Sequence, residues 1–330
     1  MTKKTGENAK PGLHKRNRHR FGYNFEELVG VCFDLKQFVR DNGYGQLSID
    51  FSNPEAVVSL NKALLIKYYA VQQWHLPADN LCPPVPGRAD YIHFLADLLS
   101  DDSGSGYPVG QSIRALDIGV GANCIYPIVG QAEYGWTFIG SDIDKKSLAN
   151  AQEIVDRNPG LQKTVELRFQ SQPERLFDNI LQPEDFIDIT LCNPPFHDSA
   201  QSAAAGSIRK QSNLSKKSVK SSVLNFGGQN NELWCKGGEL SFIKNMIDQS
   251  QSYRSQVYFF TSLVSRKAHV PELLKALNRA GVAEKRVVEM QQGNKQSRFI
   301  AWTFLNSGQR NQWRENKWTS VINSKKDLKK

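Results

Sequence analysis

The sequence predicts a mostly parallel, Rossmann-like α/β sheet, with helices on both faces and a mainly helical N-terminal extension. Three observations carry that prediction. Seven apolar, strand-like runs follow one another between residues 113 and 305, helical patterns separate most of them, and a glycine-bearing loop closes the first. Alternation at this spacing reads as βαβ units, whose sheet is covered on both sides.

The chain opens on a basic block. Residues 1–20 carry Lys3, Lys4, Lys10, Lys15, Arg16, Arg18 and Arg20 against Glu7 alone, and they read as a disordered tail. Residues 21–86 are expected to form a separate extension on the substrate side. Within it Phe25, Leu28, Val29, Cys32, Phe33, Leu35 and Phe38 suit one or two helices, and Gln46–Phe51 alternates like a strand. Pro54–Tyr69 reads as a helix with Ser52 or Asn53 as cap. Phe51, Tyr68 and Trp74 are expected in the core there. Cys82–Arg88 is turn-rich, a short helix with Tyr91, Phe94, Leu95 and Leu98 on one face follows, and Ser103–Gly106 is a linker by composition.

The regular region, residues 87–305, is the expected main domain. Its strands are predicted at Ile113–Ile118, Trp136–Ser141, Val165–Phe169, Phe186–Cys192, Val257–Val264, Arg286–Met290 and Arg298–Leu305. Helices are predicted at Lys145–Asn158, Glu239–Gln251 and Val270–Ala280. Only Gln291–Ser297 separates the last two strands, too little for a crossover helix, so the final strand should run antiparallel. Residues 197–238 show no period and are rich in Ser, Gln, Ala, Lys and Gly, which suits a functional or mobile loop. The chain closes on a second basic tail, 306–330.

The net charge of +9 comes in blocks, at both ends and within 201–220, which suits a polyanion partner or a solubilising tail. Five widely spaced cysteines with no C-x-x-C argue against a disulfide framework and against a zinc site, so no metal is expected. No apolar run is long enough to span a bilayer and the N-terminus lacks a secretion signal; a cytoplasmic protein without a membrane partner is expected.

Asp117-Ile118-Gly119-Val120-Gly121-Ala122-Asn123 closes the first strand, where glycines let the backbone approach a ligand. Asp142 ends the next strand, 21 residues after Gly121, where a carboxylate holds a ribose. A nicotinamide fingerprint would need glycine where Cys124 stands. A carboxylate at Asp117 suits a cofactor with an ammonium group, and S-adenosylmethionine has both that group and a ribose. A glycine turn without a ligand is the plain alternative.

Asn193-Pro194-Pro195-Phe196 follows the fourth strand. Two prolines fix an extended backbone and remove its N–H donors, leaving the carbonyls of Asn193 and Pro194 to accept both hydrogens of a planar amino group. Phe196 can stack on the ring that carries the group. An exocyclic amine is a poor nucleophile, because its lone pair is delocalised, so catalysis by alignment needs these features and no strong base. His197 and Asp198 are close in sequence without reading as bases. Cys192 reads as a buried strand residue rather than a nucleophile, and a rigid proline turn is the plain alternative for the whole motif.

These residues resemble class I methyltransferases, and the tetrad is similar to that of amino-group methylases. Asn53–Val57, Val85–Arg88 with Tyr91-Ile92-His93, Leu116–Pro127, Gly237–Leu240 and Arg298–Trp302 narrow the likeness to the ribosomal large subunit methyltransferase F family of 23S rRNA adenine-N6 methyltransferases. The resemblance runs from about Leu13 to Leu305. It implies that Arg88 reaches the cofactor carboxylate, that Gly119 and Asn123 line its pocket, that Asp142 takes the ribose and that Asn193 meets the amine. Asn123 stands where many methyltransferases have a third glycine, so its side chain can do the contacting. The residue for the cofactor adenine falls near Gln170–Gln172 without a definite position. Expected RNA contacts are Lys15, Arg16, Arg18 and Arg20 in the tail, and Arg209, Lys210, Lys216 and Lys217 as a clamp in the long loop. The expected partner is 23S rRNA or a large-subunit assembly particle. Glutamine-side-chain methylation in a protein, and a non-catalytic RNA-binding assembly factor, are the alternatives.

Overall fold

The computed structural model describes residues 12–78, 80–103, 106–195, 197–198, 234–292, 295–318 and 321–322. The extension contains α1 (Phe25–Val31), a hairpin of β1 (Val39–Asp41) and β2 (Leu47–Ile49), and α2 (Pro54–Tyr69). Helix α2 starts at Pro54 because the Asn53 side chain accepts from the amides of Glu55 and Ala56, while Pro54 has no N–H to orphan. Trp74 is buried as expected, Tyr68 is half-buried, and Phe51 is 49% exposed, which corrects its expected core position. Phe51 falls just beyond the hairpin, in the turn before α2, where it is only half covered.

Helix α3 (Val85–Ser103) is longer than the short helix expected. It takes Pro86 and Gly87 into its first turn, where a proline forfeits no helical hydrogen bond. Tyr91, Leu95 and Leu98 are buried along it. There follow β3 (Tyr107–Pro108), β4 (Arg114–Ile118), α4 (Ile125–Tyr134), β5 (Thr137–Asp142), α5 (Lys145–Asp156), the single turn α6 (Pro159–Gln162), β6 (Val165–Phe169) and β7 (Ile187–Cys192). After residue 234 come α7 (Gly238–Ser250), β8 (Val257–Val264), α8 (Val270–Ala280), β9 (Glu284–Gln292), β10 (Lys295–Thr303), α9 (Ser307–Lys317) and β11 (Val321–Ile322).

Seven strands form one sheet in the order β6-β5-β4-β7-β8-β10-β9. The pairs from β6 to β8 are parallel, whereas β10 is antiparallel to both β8 and β9, between which it lies. All six residues of β7 are buried, as a central strand with helices on both faces requires. Side chains that alternate along the strands feed two cores. Ala115, Phe138, Ile189 and Phe259 face α3 and α4, and Leu116, Ile139, Cys192 and Phe260 face α7 and α8.

Both expected tails are partly corrected. Residues 12–20 are ordered: the buried side chain of Asn17 donates to Asp90, and the His14 ring pairs with Asp97 at 2.8 Å. Residues 1–11 lie outside the described part. At the other end, α9 is capped by Asn306 with a reciprocal bond from Gln309 and is tied into the body. Trp313 and Trp318 each donate an indole N–H to Asp188 at 2.8 Å, and Lys317 pairs with the same fully buried carboxylate at 2.5 Å. Asp102, at the end of α3, collects Arg310 and Arg314.

Candidate active site

The register of the sheet assembles the site. Ile118 of β4 pairs with Cys192 of β7, so the glycine loop and the Asn193 turn leave adjacent strands at the same edge. Neighbouring strands lie about 5 Å apart, which sets the scale of the separation. Parallel sheets bind ligands at this carboxyl edge.

Gly119 and Gly121 have φ of 79° and 64°, the left-handed region that favours glycine. A Cβ built on Gly119 meets nothing within 4 Å, so the loop leaves open space above itself. The amides of Gly119 and Val120 both donate to the Ser141 carbonyl at 2.9 Å, which ties the loop to β5. Asp142 steadies the same loop, one carboxylate oxygen accepting from the Gly121 amide and the other from the Asp144 amide, each at 2.9 Å. Burial raises its pKa above the usual carboxylate range.

Asp117 is 1% exposed, and neither carboxylate oxygen has a hydrogen-bond partner among the described residues. Burial, and then repulsion from Asp142, push its pKa up to about 8, against a smaller opposing pull from Arg88. An orphaned buried carboxyl is expensive and points to a missing partner. Arg88, in the first turn of α3, donates to the Tyr126 hydroxyl at 2.8 Å and lies over that ring. Burial pushes the Tyr126 phenol up to about 12, so it stays neutral and leaves the guanidinium charge unspent.

One cavity of about 370 Å³ joins the glycine loop, Arg88, Tyr126 and Asp142, with Asp117 outside its lining. Arg88, Gly119, Gly121, Asn123, Asp142, Asn193 and Pro195 line it, with Leu81, Tyr126, Ile143, Gln170 and Phe242 completing its walls. The size suits a small-molecule ligand. A fork-shaped cation, an unpaired carboxyl and a second carboxylate fit a ligand that carries a carboxylate, an ammonium and vicinal hydroxyls. Asn193 makes no side-chain hydrogen bond to another described residue, so its amide is free to meet a ligand. Burial holds the Cys192 thiol well above its ordinary pKa, which leaves it inert as a nucleophile.

The structure thus gathers Arg88, Gly119, Gly121, Asn123, Asp142, Asn193 and Pro195 around one space. Asp117 and Pro194 are buried outside its lining, and Phe196 lies outside the described residues. The Asn123 side chain turns back on the loop, accepting from the Ile125 amide at 3.1 Å. His197 is absent from the lining. Its carbonyl accepts from the Cys235 amide at 3.1 Å and its strand bridge is with Trp234, so the segments on either side of the long loop meet at the cavity's rim.

The expected RNA contacts divide. Arg16 is corrected to a partner inside the fold: its guanidinium binds Asp97, the Tyr134 hydroxyl and the His93 carbonyl. Arg18 forks onto Glu133. Both therefore reach the last turn of α4, the end remote from the glycine loop. Lys15 is exposed and makes no ion pair among the described residues, and Arg20 donates to the Lys15 carbonyl at 3.1 Å. Arg209, Lys210, Lys216 and Lys217 lie outside the described residues.

Sequence reasoning missed Tyr126 and left the position near Gln170–Gln172 open. Tyr126 sits in the first turn after the glycine loop, a position that must face the ligand if the loop does. Gln170 directly follows β6, the third carboxyl-edge position beside Asp117 and Asp142, but its side chain binds inside its own loop, to Asp178 and Gln172.

Comparison with known proteins adds the following. A family model described as RNA methyltransferase matches residues 7–306. The chain is 53% identical over 306 residues to the ribosomal RNA large subunit methyltransferase F of Pseudomonas entomophila (strain L48), which covers 92% of this chain and 96% of that protein. It is 50% identical over 317 residues to the protein of the same name from Serratia proteamaculans (strain 568), covering 96% and 94%. Among solved structures, the human METTL16 catalytic domain in complex with MAT2A 3′UTR hairpin 1 superposes with a TM-score of 0.75 at 29% identity, covering 89% of this chain and 96% of that one. The N-terminal domain of human METTL16 in complex with SAH gives a TM-score of 0.69 at 27% identity, with 89% and 99% covered.

Proposed function

The chain belongs to the RNA methyltransferase family, and on that premise we propose that it methylates the N6 amino group of one adenine in 23S ribosomal RNA, in the cytoplasm, using S-adenosylmethionine. The observation that carries the reading is the pairing of Ile118 with Cys192, which sets the Asn193-Pro194-Pro195 turn beside the glycine loop on a shared cavity. The names of the relatives support ribosomal RNA as the substrate, and the acceptor turn supports an amino nitrogen as the target.

When bound, S-adenosylmethionine supplies a sulfonium methyl carbon for attack by a nitrogen. The residues of this chain divide the remaining work. Arg88 would take the carboxylate of the amino-acid end, Asp117 its ammonium, and Asp142 the ribose hydroxyls. Asn193 Oδ1 and the Pro194 carbonyl accept the two amino hydrogens, which turns the nitrogen lone pair toward the methyl group. Pro194 and Pro195 offer no N–H that would compete for those acceptors. Phe196, outside the described residues, would stack on the adenine if the tetrad works as the sequence suggests, a contact worth about 1–3 kcal/mol. Rate enhancement comes from alignment. The methylated nitrogen then releases one proton to water, so no protein base is needed.

Incubation with S-adenosylmethionine labelled in the methyl group and with large-subunit rRNA tests the reading. Nuclease should release the label as N6-methyladenosine. Label released only by protease, or recovered on another base position, would refute it.

A further inference from the structure

Two stretches that the sequence singles out, Gly237–Leu240 and Arg298–Trp302, lie outside the cavity lining, yet both close on the loop that leaves β8. Glu239, 1% exposed in the first turn of α7, accepts from the Ser265 amide at 2.6 Å and the Arg266 amide at 3.3 Å, and pairs with the His269 ring at 2.8 Å. Arg298, buried on β10, donates to the Val264 and Ser265 carbonyls, each at 3.4 Å. A buried acid thus takes the loop's amides and a buried base its carbonyls, which holds residues 264–266 from both sides. Burying two charges is an expensive way to fix a surface loop.

The loop presents two cations that nothing holds. Arg266 and Lys267 are exposed, and neither side chain makes a hydrogen bond, ion pair or ring contact with a described residue. The register places them. Ile189 of β7 pairs with Phe259 of β8, so Cys192 stands level with Ser262, and the acceptor turn leaves the sheet beside the end of β8. Burial, and then the charge of Arg266, hold the His197 imidazole below its ordinary pKa, so the guanidinium acts at the rim where His197 and Trp234 bridge. Lys236, exposed and lining the cavity, is a third cation there without an ion pair among the described residues. The acids of the flanking elements do not cancel these charges. Glu239 is spent on the loop, Glu289 on Arg298, and Glu272 lies between Lys244 and Lys275, which leaves exposed Asp198 against three free cations. A base drawn out of an RNA into the cavity brings the phosphates on either side of it to this mouth, and free cations are what phosphates select.

We propose that Arg266 and Lys267 grip the RNA phosphates flanking the base that enters the cavity, on a loop fixed by Glu239 and Arg298. This rests on the reading of the protein as a methyltransferase of a base in RNA. It puts a phosphate contact on the strand next to the acceptor turn, whereas the charge blocks of the sequence point to the N-terminal tail and the long loop. A fixed loop also spares the ordering entropy that a mobile basic tail loses on binding.

The test uses the full chain and a protein-free transcript of the large-subunit rRNA. Arg266→Ala combined with Lys267→Ala should weaken binding about tenfold and flatten the dependence of log Kd on log salt by about 1–2, the share of two phosphate contacts. Arg266→Lys alone should keep the parent's slope. Thermal unfolding and the Kd for S-adenosylmethionine should stay within error and within twofold of the parent. A second arm takes a short RNA around the adenine that the parent labels, with a neutral methylphosphonate in place of either flanking phosphate. That change should cost the parent about tenfold in kcat/KM and the double variant less than twofold. Unchanged transcript affinity and slope would make the two side chains ordinary solvated cations. Equal methylphosphonate losses in parent and variant would place their contact away from the target nucleotide. Either result overturns the proposal. Should affinity and slope fall as expected while the parent labels no adenine, the proposed reaction fails and the phosphate contact stands.

Discussion

Replacing Asp117 with Asn should stabilise the ligand-free protein while impairing cofactor binding, and both effects can be sized. The carboxyl has an ordinary pKa of 3.8 when unfolded and about 8 in the fold, chiefly through burial. A group with a raised folded pKa binds more protons folded than unfolded, so it removes stability as pH rises from about 4 to about 8. At about 1.4 kcal/mol per unit, the penalty is about 2 kcal/mol at pH 5, about 4 at pH 7 and about 5 at pH 8. Asn carries no titratable group, so the variant escapes this slope. Thermal unfolding of parent and variant between pH 5 and pH 9 should show the variant's advantage widening with pH. Binding should move the other way, because an ammonium placed at Asp117 restores the value of its charge. Loss of one charge-assisted bond is worth about 1.5–3 kcal/mol, roughly 10- to 150-fold in Kd by calorimetry with S-adenosylmethionine. Unfolding curves that stay parallel across that pH range, or an affinity loss below about threefold, would refute the assignment of Asp117 as an empty-handed partner for a cation.

Two further perturbations probe other links. Asn193→Ala should lower kcat by at least about 100-fold, as removal of a transition-state contact can, while calorimetry with the cofactor shows less than a threefold change. An active variant would remove Asn193 from the chemistry. Asp188→Ala strands two indole N–H groups and the Lys317 ammonium, so a loss on the order of 3–5 kcal/mol is expected. Hydrogen exchange should then open residues 307–318 first, and protection equal to the parent's would show that the clasp does not hold the helix.

The sequence was most legible where local and global signals agree. Val165–Phe169, Val257–Val264 and Val270–Ala280 are strand, strand and helix over the predicted residues, because apolar period and flanking turns coincide there. The glycine loop and the Asn193 turn were legible because both sit at strand ends, where chemistry in this architecture must lie. Charge was the poorest guide. Arg16 and Arg18 read as RNA contacts, and Arg310 and Arg314 fell in an expected basic tail, yet their carboxylates are Asp97, Glu133 and Asp102, far away in sequence. No periodicity records a partner at that separation. Cys82–Arg88 misled for a local reason: Pro86-Gly87 marks a turn in most contexts but also fits the first turn of a helix.

The clasp on Asp188 also has a consequence in time. The strand that carries the acceptor turn is made well before Trp313, Lys317 and Trp318, which follow Asp188 by 125 to 130 residues. Domains fold N-terminus first as they emerge from the ribosome. A nascent chain of this protein can therefore lay down β7 early, but Asp188 at its base lacks its two indole donors and its ammonium partner until residues 313–318 emerge, so the strand bearing the acceptor turn settles fully only once α9 has docked.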